Sequence, residues 1–194
     1  MDTWTATTPK RTVGYLALLR LDDGRVFVSG GLGAGGADVP RPVGDTEVYD
    51  PVQDRWRATA AAPASHARGA AIVLRDGRVL LTGGLFDARA ADLYDVGTDS
   101  WIGAAAMREG RQGHQAVLLG DGSVLVLGGR GPLPVHSVER YDPGRNLWQP
   151  LRDLATERSG FTATRAADDR IVVVGGFASE HAAGSGEVYQ PCAR

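Results

Sequence analysis

The chain has 194 residues, a net charge of −2 and a hydrophobic content of 43%. This apolar content is sufficient for a folded core, and with the small net charge it excludes an intrinsically disordered chain. No apolar run approaches the ~20 residues of a membrane-spanning helix, and no basic excess indicates a nucleic-acid partner. The single cysteine, Cys192, excludes an internal disulfide framework.

Taken in chain order, paired glycines and tryptophans divide the sequence into four repeats. Periodic glycine pairs lie at residues 30–31, 83–84, 128–129 and 175–176, and the four tryptophans are Trp4, Trp56, Trp101 and Trp148. Both markers recur every 45 to 53 residues. Two independent markers that share one period indicate an internal repeat.

Each repeat carries the signals of four short strands, which we call a, b, c and d. Strand a precedes an Asp-Gly or similar turn, and strand b is rich in branched aliphatic residues and ends at the glycine pair. Strand c has an acidic residue two positions before a tyrosine, and strand d contains the tryptophan. The b strands are predicted at residues 25–28, 78–82, 123–127 and 170–174. A four-stranded antiparallel unit repeated in this way is a propeller blade.

These residues resemble the kelch repeat. The pattern hydrophobic-Asp-Gly-Arg-Val, then Gly-Gly, then Glu-x-Tyr-Asp-Pro and a tryptophan seven residues after the tyrosine covers essentially the whole chain. The repeats are most similar to the bacterial type that also occurs in the propeller of galactose oxidase. The resemblance implies an all-β propeller with strand a nearest the axis and strand d outermost.

The spacing of the repeats predicts a single domain, residues 1–194, with four blades. The repeats cover approximately residues 9–60, 61–105, 106–152 and 153–194, and the last repeat lacks a strand d. Residues 1–8, with the pattern Asp2-x-Trp4, would supply that strand and so remove two unpaired sheet edges. Kelch propellers resemble rings of five to seven blades, so two alternatives stay open: an eight-bladed ring of two copies, or a part of a longer protein.

Antiparallel strand order places the d–a and b–c loops on one face of the propeller. The first b–c loop, residues 32–44, is the longest of its kind and carries Asp38 and Arg41. Because variable loops on a regular scaffold are the usual place for binding, we expect a ligand site on this face. The residues predicted to form it stand near the start of strand a in each repeat: Arg11, Tyr15, His66, Arg68, Arg111, His114, Arg158 and Phe161.

Several arginines that face one channel mouth would suit a carboxylate or phosphate group. The alternative interpretation is structural, with each arginine bonded to backbone carbonyls or to an acid of the next blade. His114, beside Arg111, is the best single candidate for acid–base chemistry, although no complete catalytic constellation accompanies it. No tight histidine pair indicates a metal site, and no cofactor is expected.

The sequence therefore favours a non-catalytic kelch propeller that binds a protein segment or a small ligand at the d–a/b–c face. Two alternatives stay open: an enzyme that acts on a sugar or anionic metabolite in the central channel, and a structural or designed propeller without a dedicated site. We expect a monomer without nucleic-acid or membrane partners. The lack of a signal segment favours a cytoplasmic location, and twenty arginines against one lysine, Lys10, favour a bacterial source.

Overall fold

The computed structural model describes residues 5, 17–33, 41–85, 88–132, 135–178 and 181–191, and these residues contain only β-strands and irregular segments. The strands in chain order are β1 Ala17–Arg20, β2 Val26–Ser29, β3 Leu32–Gly33, β4 Arg41–Pro42, β5 Thr46–Asp50, β6 Arg55–Ala58, β7 Ala70–Val73, β8 Val79–Thr82, β9 Ala91–Asp95, β10 Ser100–Gly103, β11 Gln115–Leu118, β12 Val124–Leu127, β13 Val138–Asp142, β14 Leu147–Pro150, β15 Thr162–Arg165, β16 Ile171–Val174, β17 Phe177–Ala178, β18 His181–Ala182 and β19 Gly186–Tyr189.

The strands form four antiparallel sheets, one for each repeat. Blade 1 consists of β1, β2, β5 and β6, blade 2 of β7 to β10, and blade 3 of β11 to β14. The described part of blade 4 consists of β15, β16 and β19. The innermost strands β1, β7, β11 and β15 contact one another in that order. The fold is therefore a four-bladed β-propeller, which confirms the predicted class. The strand predicted around Trp4 lies outside the described residues.

The core lies between neighbouring blades, where the facing sides of adjacent sheets are buried. Between blades 2 and 3, for example, Leu80 and Leu93 pack with Val124 and Val126 in one apolar cluster, and similar clusters join blade 1 to blade 2 and blade 3 to blade 4. Burial of this kind contributes about 25 cal/mol per Å² of apolar surface. The b strands that form these clusters begin and end within one residue of their predicted positions.

The tyrosine and tryptophan of each repeat act together at the outer edge of a blade. In blade 2, Tyr94 is fully buried and its ring lies 5.0 Å from the partly buried ring of Trp101. The Trp101 indole donates a hydrogen bond of 2.8 Å to the carbonyl of Ala60, which follows strand d of blade 1. The Tyr94 hydroxyl donates to Asp99, which also accepts the Ala60 amide. These contacts tie blade 2 to blade 1, and the bonds from the Trp148 indole to Ala105 and from the Ala105 amide to Asn146 tie blade 3 to blade 2 in the same way.

The glycine pair is the second link between blades. Gly83 has a φ of +64°, and the amide of Gly84 donates a 3.0 Å hydrogen bond to the carbonyl of Arg111 in the next repeat. A methyl group on Gly83 would overlap that carbonyl and lie 2.6 Å from Cε1 of His114. The pair of the third repeat makes the same contact, because Gly129 donates to the carbonyl of Arg158 at 2.8 Å. Only glycine permits this backbone approach.

A Gly83→Ala variant tests this close approach against a matched control. Gly77 also has a positive φ, +82°, but a methyl group there would meet open space. Gly77→Ala should therefore lose only about 1–2 kcal/mol of unfolding free energy through backbone strain. Gly83→Ala should lose about 1–3 kcal/mol more, because the added methyl group overpacks the contact between blades. Urea unfolding measures both values, and equal losses would contradict the proposed role of Gly83.

Candidate functional site

The d–a and b–c connections lie on one face of the propeller, as predicted. The d–a segment of blade 3 pairs with its b–c loop through Gln112 and Arg130, and that of blade 4 pairs through Ser159 and Phe177. Together, these segments surround a cavity of about 560 Å³ near the innermost strands, which we call the channel-mouth cavity. It is lined by Arg68 and Gly69, by residues 112–115, by Arg130, and by Ser159 and Gly160.

A chain of backbone hydrogen bonds fixes the rim of this cavity. The amide of Gly113 donates to the carbonyl of Arg68 at 2.8 Å, and the amide of Gly160 donates to the carbonyl of Gly113 at 2.9 Å. All three residues have φ values between +60° and +64°. The d–a segments of blades 2, 3 and 4 are thereby held together, which makes the cavity a preformed feature of the scaffold.

The channel-mouth cavity carries positive charge. Arg68 and Arg130 line it and are exposed, and the described residues that line it include no carboxylate. Gln112 adds a buried side-chain oxygen that has no hydrogen-bond partner among the described residues. Two cationic side chains therefore line the cavity, while the Gln112 oxygen is buried beneath its surface. A cavity lined in this way is suited to a ligand that carries an anionic group.

Arg111 and Arg158, which the sequence grouped with the ligand-binding residues, are fully buried. The Arg111 guanidinium donates to the carbonyls of Gly128 and Ser137, and it pairs with the Glu139 carboxylate at 2.8 Å. Arg158 makes the corresponding bonds to Gly175, Ser185 and Glu187. Both arginines therefore fit the structural alternative, in which arginine bonds to backbone carbonyls and to an acid. The acid lies in the same blade as the arginine, not in the next blade as that alternative stated. Neither side chain can touch a ligand without a rearrangement.

His66 takes the place of this buried arginine in blade 2. Its Nε2 atom lies 2.9 Å from the Asp92 carboxylate, and its Nδ1 atom lies 2.8 Å from the carbonyl of Gly83. The pair His66–Asp92 thus substitutes for the pairs Arg111–Glu139 and Arg158–Glu187. In blades 2, 3 and 4, the acid two residues before the tyrosine is thus the partner of the basic residue four positions before strand a.

His114 is buried as well, although it borders the cavity. Its Nε2 atom lies 2.8 Å from the hydroxyl of Thr82 in blade 2. Burial, and then the electrostatic effects of Arg111 and His66, lower the pKa of His114 to about 3. The imidazole is therefore neutral near pH 7, and no carboxylate is among its hydrogen-bond partners in the described region. This environment gives His114 a packing role at the contact between blades 2 and 3.

The remaining predicted site residues have separate locations. Phe161 is buried in the cluster between blades 3 and 4, at the position that His114 occupies in the preceding repeat. Arg11 and Tyr15 lie outside the described residues, as does Asp38 of the long first loop.

Three residues that line the cavity, Arg130, Gln112 and Ser159, were not among those predicted from the sequence. Arg130 follows a glycine pair directly, so the position of that pair beside the next d–a segment was the signal that could have identified it.

The opposite face has a different charge pattern. The a–b turns of blades 1 and 2 border a cavity of about 570 Å³, but each arginine there is neutralised locally. Arg25 pairs with Asp23 at 2.6 Å, and Arg78 pairs with Asp76 at 2.6 Å. These pairs lower the pKa of both carboxyl groups. The turns are short and alike, as predicted, and each arginine is paired within its own turn, while the carboxylates of Asp22 and Asp95 also line this cavity.

Within the part of the chain that the structure describes, no group of three or more His, Cys, Asp or Glu residues is arranged to hold a metal ion. The same residues include no helix that is long and apolar enough to cross a membrane.

Comparison with known proteins agrees with the geometry. The family model described as "Kelch motif" matches residues 113–155, which include blade 3. A curated relative, Kelch-like protein terF of Aspergillus terreus, is 34% identical over 84 residues, which are 43% of this chain and 18% of the relative. The solved structure of YjhT superposes with a TM-score of 0.74 at 19% identity over 84% of this chain and 58% of that one. The chain spans less than two thirds of either protein. The kelch motif is thus matched in blade 3, and its glycine and aromatic markers recur in the other repeats.

The pKa of His114 predicts a specific loss of stability in acid. The pKa of His114 in the folded protein, about 3, lies below the ordinary histidine value of 6.5, so the unfolded chain binds the proton first as the pH falls. The stability contribution is complete above pH 6.5 and is lost progressively toward pH 3. Between pH 6.5 and 5, His114→Phe, which copies Phe161, should reduce the loss of unfolding free energy by about 2 kcal/mol. The exposed-site control His136→Gln should retain the wild-type slope in urea unfolding. If the unfolding free energy of His114→Phe fell with pH as steeply as that of the wild type, the buried neutral state of His114 would be refuted.

Proposed function

We propose that this kelch propeller is a non-catalytic binding scaffold whose ligand docks its anionic group in the channel-mouth cavity. The observation that carries the proposal is the pair of exposed arginines, Arg68 and Arg130, in a cavity whose described lining contains no carboxylate. Guanidinium groups bind carboxylate and phosphate groups through paired N–H donors. A cavity of about 560 Å³ has the size of a small-ligand site.

Rigidity supports the same proposal. Because the hydrogen bonds from Gly160 to Gly113 and from Gly113 to Arg68 fix the rim, a ligand would meet donors that are already ordered. Such preorganisation reduces the entropy that binding costs. The backbone amides of Gly113 and Gly160 also lie at the cavity, so their NMR resonances should shift when a ligand binds there.

The alternative of an enzyme has less support from the contacts. Its candidate acid–base residue, His114, is neutral, buried and bonded to Thr82. General acid–base catalysis needs a group whose pKa lies near the working pH. Non-catalytic binding of a ligand requires only a cavity of suitable charge and shape.

A titration with inorganic phosphate, followed by amide NMR, tests the proposed site. In the wild-type protein, phosphate should shift the Gly113 and Gly160 resonances. The double variant Arg68→Asn/Arg130→Gln should bind at least tenfold more weakly, because asparagine tolerates the positive φ of residue 68 while the charge is removed. The control Arg145→Gln removes an exposed arginine from a c–d turn on the other face. Unchanged phosphate affinity in the double variant, or shifts confined to other residues, would reject the site.

A further inference from the structure

One repeat position at the rim of the channel-mouth cavity carries a side chain that differs between blades. It is the residue directly after each periodic glycine pair: Leu32, Leu85, Arg130 and Phe177. In blades 2, 3 and 4 its amide donates to a carbonyl of the d–a segment of the same repeat, at 2.8 or 2.9 Å. The backbone is therefore constant while the side chain varies, as expected for a position at which a rigid scaffold sets its binding preference.

Phe177 presents an aromatic ring at this position in blade 4. It is 57% exposed, although two hydrogen bonds of 2.9 and 3.0 Å with Ser159 fix its backbone. A methyl group on Gly160 would lie 3.9 Å from Cδ2 of the ring. Because Ser159 and Gly160 line the cavity, the ring lies beside the cavity wall and is accessible from solvent.

Arg130 stands at the equivalent position of blade 3, where its exposed side chain lines the cavity. The d–a segments behind Arg130 and Phe177 are joined directly, because the Gly160 amide donates to the carbonyl of Gly113 at 2.9 Å. One cationic group and one aromatic ring therefore flank the same short stretch of backbone. Gly113, Ser159 and Gly160 form the cavity wall along that stretch, and their small side chains leave room for a planar group.

We infer that the ligand of the channel-mouth cavity is an aromatic anion, with its charged group on Arg130 and its ring against Phe177. The inference rests on the proposed anion site and adds an apolar determinant of specificity to it. Two aromatic rings attract each other beyond the effect of the area that they bury. An aliphatic anion would gain the charge pairing alone, so Phe177 sets the preference between ligands of equal charge.

The first test compares phosphate monoesters that differ only in their organic group, followed at the Gly113 and Gly160 amide resonances. Phenyl phosphate should bind about fivefold more tightly than methyl phosphate, because only the phenyl ring reaches Phe177. Cyclohexyl phosphate, which has a similar volume without a planar ring, should bind more weakly than phenyl phosphate. Equal affinities for the phenyl and cyclohexyl esters would overturn the inference.

Inorganic phosphate separates this inference from the proposed function. If inorganic and methyl phosphate bind in the cavity but phenyl phosphate binds no more tightly, the aromatic preference is overturned and the anion site stands. If none of these phosphates binds, the anion site is rejected and the inference falls with it.

The second test removes the ring. Phe177→Leu copies the residue of the first and second repeats, so the backbone pairing with Ser159 should persist. The affinity for phenyl phosphate should fall about fivefold, while that for methyl phosphate stays unchanged. The control Leu147→Ala removes a similarly exposed side chain, 51%, from the outer strand β14 and should keep the wild-type ratio of the two affinities. A wild-type ratio in Phe177→Leu would overturn the inference.

The position of the bound ring is measured on the wild-type protein. Intermolecular nuclear Overhauser effects should connect the phenyl protons of phenyl phosphate to the ring protons of Phe177. Effects to other side chains without any to Phe177 would overturn the inference, even if phenyl phosphate were the preferred ligand.

Discussion

The structure depends on one backbone contact, in which the glycine pair of a blade meets a carbonyl at the start of the next repeat. The amides of Gly84 and Gly129 donate to the carbonyls of Arg111 and Arg158, and the space at Gly83 and Gly128 excludes a side chain. Because these contacts set the separation of neighbouring sheets, they also determine how deeply the branched aliphatic residues of strand b are buried. The apolar core between blades is a consequence of that spacing.

The same contact positions the candidate site. The residues whose carbonyls accept these bonds, Arg111 and Arg158, are held from their side chains by Glu139 and Glu187. Each buried ion pair is bonded further to carbonyls of its own blade, which offsets the cost of removing the charges from water. The d–a segments are therefore fixed at both backbone and side chain, and the rim of the channel-mouth cavity is built from the residues that follow them.

The sequence predicted the architecture almost completely, because periodic glycines, tyrosines and tryptophans each have a local physical role. It predicted the face of the site for the same reason, since antiparallel strand order determines which loops meet. It could not separate buried from exposed arginines. Arg111 and Arg68 stand in similar positions near strand a, but only the three-dimensional partner, Glu139, shows that Arg111 is structural. Arg130 enters the site through a contact between loops 18 residues apart, and the glycine pair directly before it was the sequence signal of that position.

Amide hydrogen exchange measures the central contact most directly. The amides of Gly84 and Gly129 should exchange only through global unfolding, with the same dependence on urea as the core of β12. The amide of Gly77, which bonds Leu74 in an exposed a–b turn, should exchange much faster. If Gly84 and Gly129 exchanged as fast as Gly77, the contact between blades would open independently of the fold. The structure could not then depend on it.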